Sequence, residues 1–377
     1  MMAYLDNAAT TQLDPKVMEA MIEVMKSNYG NPSSIHGLGR QARSVIERAR
    51  KTVAKIINAS PGEIFFTSGG TEADNTAIIK TIEDHKITHA ISTEIEHHAV
   101  SHTLEYLEKA GKINYSKLSL TSKGEIDLAE LEMLLKENPN SFVSLMHANN
   151  EIGNLLPIDE VGELCKKYNA IFHSDTVQTV GHLPIDVRKS NVNFIACAAH
   201  KFHGPKGVGF LFIDSNLKIN PFVHGGAQER NMRGGTENIY GIAGLAKALE
   251  IADAEMMEHK AHIESLKMLM IEQLKSRIAG VEFNGLSSEI SKSLYTVLSV
   301  HLPPTPTAEM LLFNLDINGI FASGGSACSS GSNQGSHVLR ALNIDQSRPS
   351  VRFSFSKFTT KEEVILAVDK LCVILGI

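Results

Sequence analysis

Two side chains in this 377-residue sequence combine reactive chemistry with a setting that frees them to use it: Lys201 and Cys328. Lys201 lies in Ala198-Ala199-His200-Lys201-Phe202-His203-Gly204-Pro205-Lys206-Gly207, just past the apolar run Phe194 to Cys197. An amine at such a strand end is partly desolvated, which favours Schiff-base chemistry with carbonyl compounds. Lys206 lies farther around the same turn and the strand fixes it less firmly, so Lys201 is the candidate. Cys328 sits in Ser323-Gly324-Gly325-Ser326-Ala327-Cys328-Ser329-Ser330-Gly331-Ser332, a stretch without apolar neighbours to bury a thiol. The composition suggests a flexible loop carrying an exposed nucleophile. The other cysteines, Cys165, Cys197 and Cys372, stand in apolar helix or strand patterns and read as packed thiols. Two more segments could serve a ligand. In Thr67-Ser68-Gly69-Gly70-Thr71-Glu72, small residues at a helix start can turn backbone N–H groups toward a phosphate. Alone, the same residues read better as an ordinary tight strand-to-helix turn with a Ser or Thr cap. Asp175, in His173-Ser174-Asp175-Thr176-Val177-Gln178, can hold a heterocyclic nitrogen protonated from a strand end, with Gln178 in reach of the same ligand; alone, it reads better as a helix cap.

The elements around these residues alternate. Short apolar segments at Ile64 to Phe66, Ala90-Ile91, Phe142 to Leu145, Ala170 to Phe172, Phe194 to Cys197 and Gly209 to Ile213 read as strands. Helical patterns occupy Pro15 to Met25, Val45 to Ile57, Ala73 to Ile82, Val100 to Lys109, Leu128 to Leu135 and Val161 to Tyr168. Such alternation predicts an α/β fold with a mostly parallel sheet covered on both faces, and ligands at strand ends. A long helical stretch, about 239 to 278, leads to a smaller α+β unit with strands at Tyr295 to His301 and Val351 to Phe355 and a closing helix from Lys361.

Composition excludes some functions. With 43% hydrophobic and 21% charged residues the chain is globular rather than disordered, and no apolar run approaches the roughly 20 residues of a membrane span. A net charge of −6 gives no electrostatic reason to expect nucleic acid or a membrane partner. The first residues, Met1 to Asp6, lack a signal-peptide pattern, so a reducing cytoplasm and free thiols are expected. His98 and His102 are one helical turn apart without the glutamate of an HExxH motif, and His97, His200 and His203 show no ligand spacing; no metal site is expected.

In order along the chain, Tyr4 to Thr11, Asn31-Pro32-Ser33-Ser34, Ser68 to Asn75, Asn149 to Gly153, His200 to Gly207, Arg233-Gly234-Gly235-Thr236, the Cys328 loop and Val351-Arg352-Phe353-Ser354 resemble a cysteine desulfurase. The likeness is to the NifS/IscS-like group with a longer catalytic loop, within the class V aminotransferase superfamily of pyridoxal 5′-phosphate (PLP) enzymes. It implies PLP-dependent transferase fold type I, with a mainly parallel seven-stranded sheet in a large domain at 13–257 and a small domain at 1–12 and 258–377. It also implies that Lys201 binds PLP as a Schiff base and moves protons at substrate Cα, that Asp175 pairs with the ring nitrogen, and that Gln178 meets the ring hydroxyl. His97 would stack on the ring; Gly70, Thr71 and His200 would hold the phosphate, with Thr236 reaching in from a partner subunit of a homodimer. Asn150 and Arg352 would bind the carboxylate of L-cysteine. Cys328 would take the sulfur as a persulfide, release alanine and pass sulfur to an acceptor such as an iron–sulfur scaffold.

Two features depart from the family pattern. Ala198 replaces a serine that usually contacts the phosphate, a loss of about 0.5–1.5 kcal/mol. The sequence stops at Ile377, short of the tail with which relatives dock the cluster scaffold, so that mode of docking is not expected. The alternatives are a selenocysteine lyase, which needs the same loop cysteine, and a class V aminotransferase, which does not. A silent PLP-binding scaffold would need Lys201 or Cys328 to be missing, and a nucleotide site at Ser68 to Thr71 would need a lysine and an acidic partner.

Overall fold

A computed structural model describes residues 2–305, 308–324 and 335–377. Cys328 therefore lies outside the described residues. The core is a seven-stranded sheet in the order Ile64–Thr67, Gly209–Ile213, Phe194–Ala198, Ile171–Asp175, Ser141–Ser144, His89–Ser92, Asn114–Lys117. Only Gly209–Ile213 runs against its neighbours; the other pairings in this sheet are parallel.

Both faces of this sheet are covered, and the residues divide between them with the period of two that a pleated strand imposes. Phe210, Phe212, Phe172, Val143 and Ile195 join one apolar cluster with the helices Pro15–Ser27, Gly37–Ile56 and Ile239–Ala254. Leu211, Ile213, Ile171, Phe142 and Phe194 face the other way, against the helices Gly70–Asp84 and His98–Lys109. The strand candidates therefore read as unbroken apolar runs rather than alternating ones. The edge strand Asn114–Lys117, absent from the sequence-based expectations, carries Asn, Tyr, Ser and Lys with no fully buried residue, so it offers no apolar signal.

The long helical stretch is two helices, Ile239–Ala254 and Met256–Arg277, broken at Glu255. The first packs on the large sheet and the second belongs to another apolar cluster. That cluster covers a three-stranded antiparallel sheet, Ser350–Ser354, Val297–His301 and Glu282–Phe283, with the closing helix Lys361–Leu375. The N-terminal segment joins this second unit: Ala3–Tyr4 pairs in parallel with Ile320–Phe321, and Asp6 bridges to Ser354. It then crosses to the large sheet, where the Thr11 N–H donates to the His200 carbonyl at 2.9 Å. Among the described residues, no helix is long and apolar enough to cross a membrane.

Candidate active site

A cavity of about 230 Å³ opens where the large sheet, the N-terminal segment and the second unit meet. Asp175 lies on its floor as the last residue of Ile171–Asp175. It shares a strand face with Ile171 and His173, the face against which the helices Gly70–Asp84 and His98–Lys109 pack. It is 5% exposed and one carboxylate oxygen accepts the Val177 N–H at 2.9 Å. Burial pushes its pKa up, while His97, that N–H and Lys201 oppose the rise.

Lys201 ends the short 3-10 turn Ala199–Lys201 that follows the next strand. Its Nζ donates to the carbonyls of Ala8 at 2.6 Å and Ala9 at 2.9 Å, and the Gln178 amide donates to Ala8 as well, at 3.1 Å. His97 caps the helix His98–Lys109, its Nδ1 accepting the Ala99 N–H at 3.1 Å. That bond leaves Nε2 to carry the ring proton, and burial lowers the pKa, so the imidazole is neutral. His200 Nδ1 stands 3.2 Å from Thr10 Oγ1, and burial, with Lys201 and Lys206 nearby, lowers its pKa to about 4.

On the far wall Arg352, in the strand Ser350–Ser354, is 2% exposed. It donates to the Asn150 carbonyl at 2.7 Å and to Asp6 Oδ1 at 2.9 Å, while its Nε has no hydrogen-bond partner among the described residues. Gly70 begins its helix against Val177, where a Cβ would meet Val177 Cγ2 at 2.6 Å. The backbone thus approaches the floor more closely than any side chain would permit. Gly70, Thr71, His97, Asn150, Asp175, Gln178, His200, Lys201 and Arg352, the residues expected from sequence, line this one cavity.

Thr236 does not line it. It is exposed, beside a separate cavity of about 210 Å³ with Ser68, Gly207 and Arg233. Arg233 is tied to Glu72 in the first turn of the Gly70–Asp84 helix by bonds of 3.0 and 3.2 Å. Ala198 lines the main cavity and is apolar, so it gives no hydroxyl contact there. Asp74, Met146 and the carbonyls of Ala8 and Ala9 also belong to the site and were not singled out from sequence.

These residues fit PLP. A helix N-terminus without a Cβ suits a phosphate, a buried carboxylate suits a ring nitrogen, and an amine stands on the same wall. The arrangement also supplies a cation beside an amide for a carboxylate-bearing substrate.

Comparison with known proteins agrees. The aminotransferase class-V family model matches residues 3–366. A cysteine desulfurase IscS of Dictyoglomus turgidum is 43% identical over 373 residues, 98% of this chain and 93% of that protein. A putative cysteine desulfurase IscS 1 of Bacillus subtilis is 42% identical over 366 residues, 96% of this chain and 95% of its own. Among solved structures, a NifS-like protein superposes with a TM-score of 0.92 at 38% identity and full coverage of both chains. A structure of SspA in complex with cysteine gives 0.82 at 28% identity, covering 95% of this chain and 100% of that one. The chain belongs to the aminotransferase class-V family and, within it, to the PLP-dependent cysteine desulfurases.

Proposed function

We propose that the cavity around Lys201 is where L-cysteine is converted to L-alanine, with its sulfur passed to Cys328 and then to an acceptor. The observation that carries this reading is the convergence of Lys201, Asp175, His97, Asn150 and Arg352 on one cavity. When bound, PLP supplies an electron sink that stabilises negative charge at substrate Cα. Asp175 would pair with the ring nitrogen and Gln178 with the ring hydroxyl, while Gly70, Thr71 and His200 would hold the phosphate. Uncharged His97 would stack on the ring. Arg352 and Asn150 grip the substrate carboxylate and so set Cα against Lys201 Nζ, which takes and returns the Cα proton.

In the sulfur step the Cys328 thiolate attacks the substrate sulfur. A sulfur–sulfur bond forms, the substrate carbon–sulfur bond breaks, and its electron pair stays with the carbon skeleton, which leaves as alanine once protonated. The persulfide sulfur then moves to an acceptor such as an iron–sulfur scaffold.

We further assign a large domain to 13–257 and a small one to 1–12 with 258–377, a division supported by the separate apolar clusters on either side of Glu255. Thr236, exposed and outside the cavity of its own subunit, serves the phosphate of a partner subunit in a homodimer working in the cytoplasm.

The test is a visible spectrum of the purified protein before and after L-cysteine, with alanine and sulfide assayed together. A bound-cofactor band and alanine equal to the sulfur released are expected. A band without alanine would reject cysteine as the substrate. Sedimentation of an active monomer would reject the role of Thr236.

A further inference from the structure

We propose that Asp74 and His173 are positioning residues that hold one proton between them behind the cofactor ring, leaving Asp175 as the anion that faces it. The inference rests on the placement of Asp175 under the ring nitrogen given above.

His173 precedes Asp175 by two residues on one strand, so both side chains emerge on the same face. The Gly70–Asp84 helix lies across that face and brings in Asp74. His173 Nε2 stands 3.3 Å from Asp74 Oδ1, with the two side chains 0% and 1% exposed. These atoms are close but not aligned as a hydrogen bond, and neither has a hydrogen-bond partner among the described residues. The other ring nitrogen, Nδ1, is 2.8 Å from Ser144 Oγ. One oxygen of Asp74, one of Asp175 and a ring nitrogen of His97 all lie within 4.8 Å of one another.

Two carboxylates this close, removed from water, do not both ionise. Their surroundings decide which one keeps its charge. Asp175 accepts a backbone N–H and feels Lys201 and His97, all of which favour the anion. Around Asp74 nothing offsets burial; Asp175 and Glu96 both add to its cost of ionising. Glu96, also buried, is itself raised to about 8. Burial lowers the His173 pKa to about 3, so its ring is neutral and available as an acceptor. The arrangement that pairs both ring nitrogens has the Asp74 carboxylic acid turned to donate to His173 Nε2, and His173 Nδ1–H donating to Ser144 Oγ.

The test uses holoenzyme. An infrared difference spectrum between the parent protein and Asp74→Asn at neutral pH should contain the carbonyl stretch of a protonated carboxylic acid. His173→Phe, with Asp74 intact, should move that band because the acid loses its acceptor. Asp74→Asn should move the pH midpoint of the cofactor's visible band by less than about 0.3 unit, whereas losing a real charge at this distance moves it by roughly one unit or more. Absence of the acid band, a band indifferent to His173→Phe, or a midpoint shift of that larger size overturns the proposal. Asp175→Asn checks the reading beneath it: a visible band and midpoint unchanged in that variant would refute the placement of Asp175, while the infrared result on Asp74 would stand separately.

Discussion

Arg352 Nη2 donates to Asp6 Oδ1 at 2.9 Å, which ties the strand Ser350–Ser354 to the N-terminal segment at the edge of the cavity. The contact fixes the guanidinium while leaving Nε without a hydrogen-bond partner among the described residues.

Arg352→Lys should therefore raise the KM for cysteine far more than it lowers kcat. A lysine keeps the charge but loses the planar fork and the bond to Asp6. A charge-assisted hydrogen bond worth about 1.5–3 kcal/mol corresponds to roughly 10–150-fold in apparent affinity. Asp6→Asn keeps Arg352 and weakens its anchor, along with the bond that Asp6 Oδ1 accepts from Ser323 Oγ at 2.7 Å, so a smaller rise, about threefold to tenfold, is expected. Steady-state alanine production measures both. Equal losses in kcat with KM unchanged would remove Arg352 from carboxylate binding.

Cys328→Ala should keep the visible cofactor band and lose sulfide release. Lys201, Asp175 and His97 belong to the sheet side of the cavity. Thiol removal abolishes only the nucleophile that accepts sulfur. Turnover equal to that of the parent protein would show that another group takes this role.

Much of this site was legible because sheet topology turns sequence order into place. Asp175 ends the strand Ile171–Asp175 and Lys201 follows its parallel neighbour Phe194–Ala198, so the two residues lie at adjacent strand ends. The apolar runs marked six of the seven strands because both sheet faces are buried. What stayed hidden has physical reasons. The Lys201 anchors at Ala8 and Ala9 are main-chain carbonyls, which no side-chain pattern reports. Asp74 looks like an ordinary acidic residue early in a helix, and only the fold lays it against His173. Thr236 stands in a recognisable motif, yet it lies outside the cavity, beside a separate one.

Glu229→Ala should destabilise the protein by about 3–5 kcal/mol, because it removes the buried carboxylate from a buried guanidinium and leaves the partly exposed Glu47, 3.2 Å from Nε, to pair with it. Arg50 and Glu229 are each 2% exposed and meet in two bonds of 2.8 Å. Glu229 also accepts the Phe66 N–H at 2.8 Å, anchoring the segment that leads to Arg233 and Thr236 against the first strand of the sheet. Replacing both partners, Arg50→Met with Glu229→Leu, should cost less than either single change. Urea unfolding of the four proteins provides the comparison; additive losses would show that the pair acts as two independent residues.

Lys267 gives a stability that depends on pH with a definite sign. It is 0% exposed in the helix Met256–Arg277, and its Nζ donates to Ser293 Oγ at 2.8 Å and the Leu294 carbonyl at 3.0 Å. Burial lowers its pKa to about 7, against roughly 10.4 in an unfolded chain. Between those values the unfolded state binds the extra proton, so stability rises with pH through that window, by up to about 1.4 kcal/mol per unit. The contribution is complete above the unfolded value and is lost as pH falls toward 7. Lys267→Met has no such proton to bind and should lack this slope. Unfolding free energies at pH 7 and pH 9 should therefore diverge in favour of the parent protein as pH rises. Parallel curves for the two proteins would mean that the buried amine stays charged when folded, held by the hydroxyl and carbonyl that surround it.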